Sequence, residues 1–181
     1  MQQISINPTA RNDPFYRYKM PCLFSDITNR GNGTFTTIYN INEIALALHH
    51  PANILFKFIG YDLATSINHK KNTIKGAHKT EKIKESIDKY IIEFVMCPTC
   101  SIPELSLTVS GKKKKMKCHH MCSACGEHDS FVKKNKASVK TLQLIIKDIS
   151  SGNVWKKHKT ADLDAEIDIF ANKFSDITDL L

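Results

Sequence analysis

The strongest periodic signal in the chain begins at Thr80, where Ile83, Ile87, Tyr90, Ile91 and Phe94 recur at helical spacing with charged residues between them. A weaker helical pattern follows Asn42, which caps a stretch with Ile44, Ala45 and Leu48 on one side, ended before Pro51. Other segments read as strands. Met20 to Ile27 is short and apolar; Arg30-Gly31-Asn32-Gly33 supplies a tight turn; Thr34 to Tyr39 is the β-branched, aromatic return of a hairpin. Ile54-Leu55-Phe56-Lys57-Phe58-Ile59 is an apolar run read as a strand closed by Gly60, and Asn72 to Gly76 reads as a short one. Gln2 to Asp13 is polar without an apolar period and reads as a flexible arm. The expectation is an α+β protein: arm 1–13, then a small mixed α/β domain over 14–95 with strands under two helices.

A different logic governs residues 96–150. Cys97-Pro98-Thr99-Cys100 and Cys122-Ser123-Ala124-Cys125-Gly126 are two C-x-x-C knuckles, twenty-one residues apart. Four thiolates at this spacing close a tetrahedron around Zn²⁺, so Cys97, Cys100, Cys122 and Cys125 are the expected ligands of a structural zinc ribbon. Cys118, His119, His120 and His128 are nearby competitors, and Cys22 reads as an ordinary buried thiol. Leu105 to Val109 and Lys114 to Cys118 are the expected ribbon strands, joined at Gly111. Ser138 to Ile149 is rich in β-branched residues and reads as a strand that joins the ribbon or packs back on the first module. From 151 to 181 the chain reads as an acidic tail, with Leu163, Ile167, Phe170, Phe174 and Ile177 on one helical face.

Charge changes this picture more than composition does. All of the 26 Lys and Arg except Lys173 precede Thr160, whereas six of the 18 Asp and Glu follow it. A body that basic suits a polyanion such as RNA, and Lys112-Lys113-Lys114-Lys115 concentrates the charge, either as a contact or as a solvated loop tip. No run of eighteen apolar residues and no charged-then-apolar leader is present, so no membrane partner is expected and the reading is cytoplasmic.

Phe15-Tyr16-Arg17-Tyr18-Lys19-Met20-Pro21 sets two cations among three rings. Arginine carries a planar, permanently charged fork that matches phosphate oxygens, and flanking rings hold such a side chain extended. Arg17 and Lys19 either line the outer face of a strand or reach into another protein's site.

The order of motifs is specific. After Phe15 to Pro21 come the Gly31-Asn32-Gly33 hairpin, Lys57-Phe58-Ile59-Gly60, Lys75-Gly76-Ala77-His78, Phe94 to Cys100 and Cys122 to Gly126. In that order, over roughly residues 13 to 147, the chain resembles the N-terminal domain of eukaryotic translation initiation factor five. The α/β layer with its ribbon is shared with the β subunit of initiation factor two; the start motif separates them. The resemblance implies a GTPase-activating protein for initiation factor two in the preinitiation complex, with Arg17 as an arginine finger in trans and Lys57 in support. It implies as partners the γ-subunit GTPase, initiator tRNA and the small ribosomal subunit, with Asn32, Gly33, Lys19, Lys113 and Lys114 facing RNA. The chain has no G-x-x-x-x-G-K-[ST] loop, so GTP and Mg²⁺ are expected only on the partner, and the chain itself is not an enzyme.

Two departures from the family stand out. Phe35 occupies the place of the family's lysine after the Gly-Asn-Gly turn, and the family's long C-terminal helical-repeat domain is not seen before Leu181. Either the protein is naturally compact or this is a fragment, and the acidic tail is a candidate tether to other initiation factors. Two alternatives stay open: a non-catalytic RNA- or ribosome-binding adaptor, and a β-subunit-like component of initiation factor two.

Overall fold

The computed structural model describes residues 2–31, 33–111, 116–131 and 135–153. Three antiparallel sheets and four helices make up the described chain, in agreement with a mixed α/β layer followed by a cysteine ribbon. The expected helix at residues 160–181 falls outside the described residues.

The first thirteen residues are not an arm without regular structure. β1 (Gln3–Ser5) pairs antiparallel with β2 (Lys19–Pro21), Ile4 opposite Met20. Ile6 is buried in the main core, its N–H donating to Tyr18 O at 3.0 Å. Asn7 Oδ1 caps a short 3₁₀ turn over Pro8–Ala10, and Arg11 pairs with Asp88. Two isoleucines two residues apart are too short a signal to show as a period, yet they suffice once a partner strand exists.

The central sheet takes the order β3-β4-β6-β5, with β3 (Ser25–Arg30), β4 (Gly33–Ile38), β5 (Ile67–Asn68) and β6 (Thr73–Lys75). The expected hairpin is present: Arg30 faces Gly33 across the turn, and Gly33 adopts φ +119°, a conformation that suits glycine. α1 (Ile41–Ala47) buries Ile44 and Ala45 as expected, although its N-cap is Asn40 rather than Asn42. Asn40 spends its side chain on the strand approach instead, accepting from Phe24 N–H and donating to Cys22 O.

Residues 54–59 are helical, not a strand: α2 runs Ala52–Asp62 and buries Ile54, Leu55, Phe56, Phe58, Ile59 and Gly60. A helix apolar nearly all round is a core helix, and a short apolar run cannot be told from a strand by period alone. Pro51 at its start decides the matter, and Gly60 lets Ile67 approach so closely that a Cβ there would lie 2.7 Å from Ile67 Cγ2. α3 (Thr80–Tyr90) follows the sequence pattern, with Ile83, Ile87 and Tyr90 buried. Its continuation over Ile91–Val95 widens into a π turn, closed by Met96 N–H on Ile91 O at 2.9 Å.

The ribbon sheet has the order β7-β8-β9, from β7 (Leu105–Ser110), β8 (Lys117–Cys122) and β9 (His128–Ser130). Residues 138–149 also depart from expectation: they belong to α4 (Lys136–Ser150), a helix. Asn135 caps it through Ser138 N–H at 2.8 Å, and Ala137, Ser138, Thr141, Leu142 and Ile145 form its buried stripe. β-Branching suggested a strand, but the cap and the spacing of the buried residues outweigh that weak preference. α4 does pack back on the first module, against α2.

At the centre, His50 Nδ1 lies 2.7 Å from the hydroxyl of Tyr90, both residues buried. Burial, helped by neighbouring His49, pushes the His50 imidazole down from 6.5 to about 3. The folded ring therefore stays neutral where the unfolded chain takes up a proton, so the unfolded state binds more protons between about pH 6.5 and 3. Stability contributed by His50 is fully present above that window and is lost as the pH falls through it, at up to about 1.4 kcal/mol per pH unit. Urea unfolding from pH 7 to 4 is expected to show this slope, and His50→Gln is expected to flatten it.

Candidate metal centre and arginine loop

The two knuckles are built alike. Ser101 N–H donates to Cys97 O and Gly126 N–H to Cys122 O, each at 3.0 Å, and both donors sit in the left-handed region. Cys97 N–H then meets Ile102 O at 3.0 Å, and Cys122 N–H meets Glu127 O at 2.8 Å. This repeated turn aims two sulfurs from each knuckle at one point.

All four sulfurs lie within 4.8 Å of one another, with Cys97 Sγ 3.6 Å from Cys125 Sγ and Cys100 Sγ 3.7 Å from Cys122 Sγ. Those separations are far too long for a disulfide bond of about 2.05 Å. They fit sulfurs at the corners of a tetrahedron about a metal with bonds of about 2.3 Å, which places sulfurs about 3.8 Å apart. Burial raises the Cys97 thiol, but the N–H groups of Cys100 and Thr99 and the sulfurs of Cys125 and Cys100 outweigh it, bringing the thiol down to about 7. Burial and the three neighbouring sulfurs push Cys100 up to about 12, against the Ile102 N–H. One readily ionised thiol beside one that holds its proton is what four crowded sulfurs do until a cation replaces the protons.

The competitors are engaged elsewhere. Cys118 is buried in the main core, where burial pushes its thiol up to about 11. His119 Nε2 meets Ser110 Oγ at 2.7 Å and its Nδ1 faces Ser130 Oγ at 3.3 Å. His120 packs edge-on against Phe131, and His128 Nδ1 contacts Gly126 O. Among the described residues the four cysteines form the one group able to hold a metal ion.

Arg17 is exposed on the loop that leads into β2, its guanidinium carbon 5.8 Å from the centre of the Tyr18 ring. The loop is pinned on several sides. Lys19 Nζ donates to Pro14 O at 3.2 Å, Phe15 N–H donates to Asp13 Oδ1 at 2.9 Å, and Tyr16 and Tyr18 pack with ring centres 6.0 Å apart. Tyr18 hydroxyl donates to Glu104 Oε1 at 3.0 Å, tying the loop to the residue ahead of β7. Phe15 is 93% exposed at the tip.

Lys57 is half-buried on α2, and no hydrogen bond or ion pair joins it to Arg17 among the described residues. Gly33 is exposed at the hairpin end, while Asn32, Lys113 and Lys114 lie outside the described residues. Phe35 is half-buried on β4, directly opposite Lys75 of β6. Sequence reasoning missed Glu104 and Asp13, the residues that hold the arginine loop. Their only signal was an acidic residue near each end of the contact, which charge patterning cannot pair at this separation.

Fold and site together define an α/β layer carrying a four-cysteine ribbon, with an arginine displayed across their junction. Residues 8–128, more than half of the chain, match the family model for a domain found in initiation factors 2B and 5, and the chain belongs to that family. It is similar to Eukaryotic translation initiation factor 5 of Drosophila melanogaster, 35% identical over 152 residues, covering 77% of this chain and 32% of the relative. The corresponding protein of Mus musculus is 35% identical over 127 residues, covering 68% and 29%. That of Saccharomyces cerevisiae is 32% identical over 140 residues, covering 75% and 34%. The chain thus spans about a third of the length of these relatives. No helix among the described residues is long and apolar enough to cross a membrane.

The metal centre generates a direct expectation. Cys122→Ser removes one corner of the cluster from a buried position. It is expected to lower bound metal to below one equivalent and to destabilise the ribbon strands by several kcal/mol. Metal analysis together with hydrogen exchange at residues 97–125 checks it; full metal content in the folded variant would refute the assignment.

Proposed function

We propose that this chain is a translation initiation factor that acts as a GTPase-activating protein for initiation factor two, with Arg17 as an arginine finger supplied in trans. The observation that carries the reading is an exposed guanidinium on a loop pinned by Lys19, Asp13 and Tyr18. Charge builds on the equatorial oxygens of a transferring phosphoryl group, and an arginine delivered to them in trans accelerates hydrolysis by roughly 10³–10⁵. A finger works best when its backbone is already in place, because less ordering is left for the moment of docking. GTP, Mg²⁺ and the attacking water belong to the γ-subunit GTPase. Lys57 supports the partner contact from α2.

The remaining roles follow the family. The hairpin end at Asn32 and Gly33, together with Lys113 and Lys114, faces initiator tRNA and ribosomal RNA of the small subunit, where basic residues release counterions. Lys19 acts through its contact with Pro14 O, shaping the arginine loop. Zn²⁺ is the metal of the four-cysteine centre, because an all-thiolate tetrahedron favours it, and it serves the fold rather than the chemistry. The acidic tail tethers other initiation factors, and the setting is the cytoplasm.

A second reading is favoured by Phe35, which stands where the family carries a lysine: an adaptor that occupies the ribosome without activating hydrolysis. Single-turnover GTP hydrolysis by the initiation factor two–tRNA complex, with and without this protein, separates the two. Arg17→Met is expected to leave folding and binding nearly unchanged while reducing stimulated hydrolysis by at least about 10²-fold. Equal stimulation by Arg17→Met would refute the finger, and no stimulation by the unaltered protein would favour the adaptor.

A further inference from the structure

Where the π turn meets the ribbon, a cleft of about 220 Å³ opens between Ile92, Glu93, Met96, His120, Asp129 and Phe131. Glu93 lies in the widened turn and is only 9% exposed. Its Oε1 is out of solvent with no hydrogen-bond partner, and so is Nε2 of His120. His120 comes from β8 and faces Asp129 across the β8–β9 ladder, which brings both to the same side of the ribbon. Glu127 completes an acidic rim.

Burying a carboxylate without a partner is costly, so a group left in this condition at the wall of a cleft points to something that fills it. Helices widened by a π turn frequently carry such sites. The occupant has to be cationic, because three acidic side chains line a cleft on an otherwise basic body. It also needs an apolar stem to lie along Ile92, Met96 and Phe131, the last with its ring stacked on Phe94. Arginine fits best: its fork donates to two separated groups at once, and it gives up its water more readily than an ammonium does. The chain's own Arg11 and Arg17 are not among the residues lining the cleft. Phosphate-bearing partners are disfavoured by the same carboxylates.

We propose that the cleft between Glu93 and His120 receives an arginine side chain presented by a partner protein. The inference stands apart from the proposed GTPase activation, since neither Arg17 nor a nucleotide takes part. The test is an NMR titration of the intact chain with N-acetyl-Gly-Arg-Gly-amide, its citrulline counterpart and free guanidinium ion. The arginine peptide is expected to give saturable shifts at the amides of Glu93, His120 and Phe131. The uncharged citrulline peptide and the stemless guanidinium ion are each expected to bind about tenfold more weakly. Glu93→Gln, which keeps the shape of the side chain, is expected to weaken the arginine peptide about tenfold as well. Non-saturable shifts, equal binding of the citrulline peptide or of guanidinium, or unchanged affinity in the folded Glu93→Gln protein would each overturn the proposal. Should Glu93→Gln fail to fold, the citrulline comparison on the unaltered chain decides.

Discussion

A ladder of aromatic rings holds the two modules together, and the rest of the structure depends on it. Phe58 from α2 meets Tyr90 from α3 edge-on with centres 5.2 Å apart; Tyr90 packs on Phe94 at 5.2 Å; Phe94 stacks on Phe131 at 5.1 Å, just beyond β9. Each ring buries a large apolar area and adds a geometric preference of about 0.5–1.5 kcal/mol to it. The ladder therefore fixes the ribbon against the α/β layer instead of leaving it on a linker. The arginine loop and the Glu93 cleft both lie at this junction, and each draws residues from both modules.

This arrangement gives the metal centre a reach beyond its own strands. The first knuckle runs from Cys97 to Ser101, and Glu104 follows three residues later, holding the hydroxyl of Tyr18 next to Arg17. On the opposite side Arg11, in the same N-terminal segment, pairs with Asp88 of α3. The loop is thus gripped by a helix of the layer and by the approach to the ribbon. A four-cysteine site that serves the fold in the ribbon also serves the posture of an arginine far earlier in the chain.

What the sequence revealed follows from how local each signal is. Two knuckles with fixed internal spacing announce their ligands because the constraint is covalent and short in range. α3 was legible because one face of a helix is buried and the other is charged. α2 was not, because both of its faces are buried and the alternation that distinguishes helix from strand is erased. α4 was obscured by β-branched residues, although Asn135 and the spacing of its buried stripe were available as counter-signals. The N-terminal strand belongs to a two-stranded pairing closed by a long loop, and it becomes visible only when Met20 supplies a partner for Ile4. Glu93 and His120 gave no sign at all, since nothing in the chain pairs residues of a helix end and a ribbon strand before the fold is known.

The charge of the body and the guanidinium of Arg17 act on different length scales, and the proposed function needs both. Lysines spread over a basic surface attract a polyanionic assembly over roughly 8–10 Å before salt screens them, so they govern how often the protein arrives. A finger works only at hydrogen-bond distance, after arrival, in a site from which water has been excluded. Replacing a lysine by Phe35 therefore touches the first effect more than the second. The phenylalanine sits half-buried on β4, and its cross-strand neighbour Lys75 stays exposed on the same face of the sheet, keeping a cation one strand away. Added salt would slow the encounter of such a protein with its target while leaving the step at the phosphate nearly unchanged, because the contacts that pin Arg17 are short-range ones within its own fold.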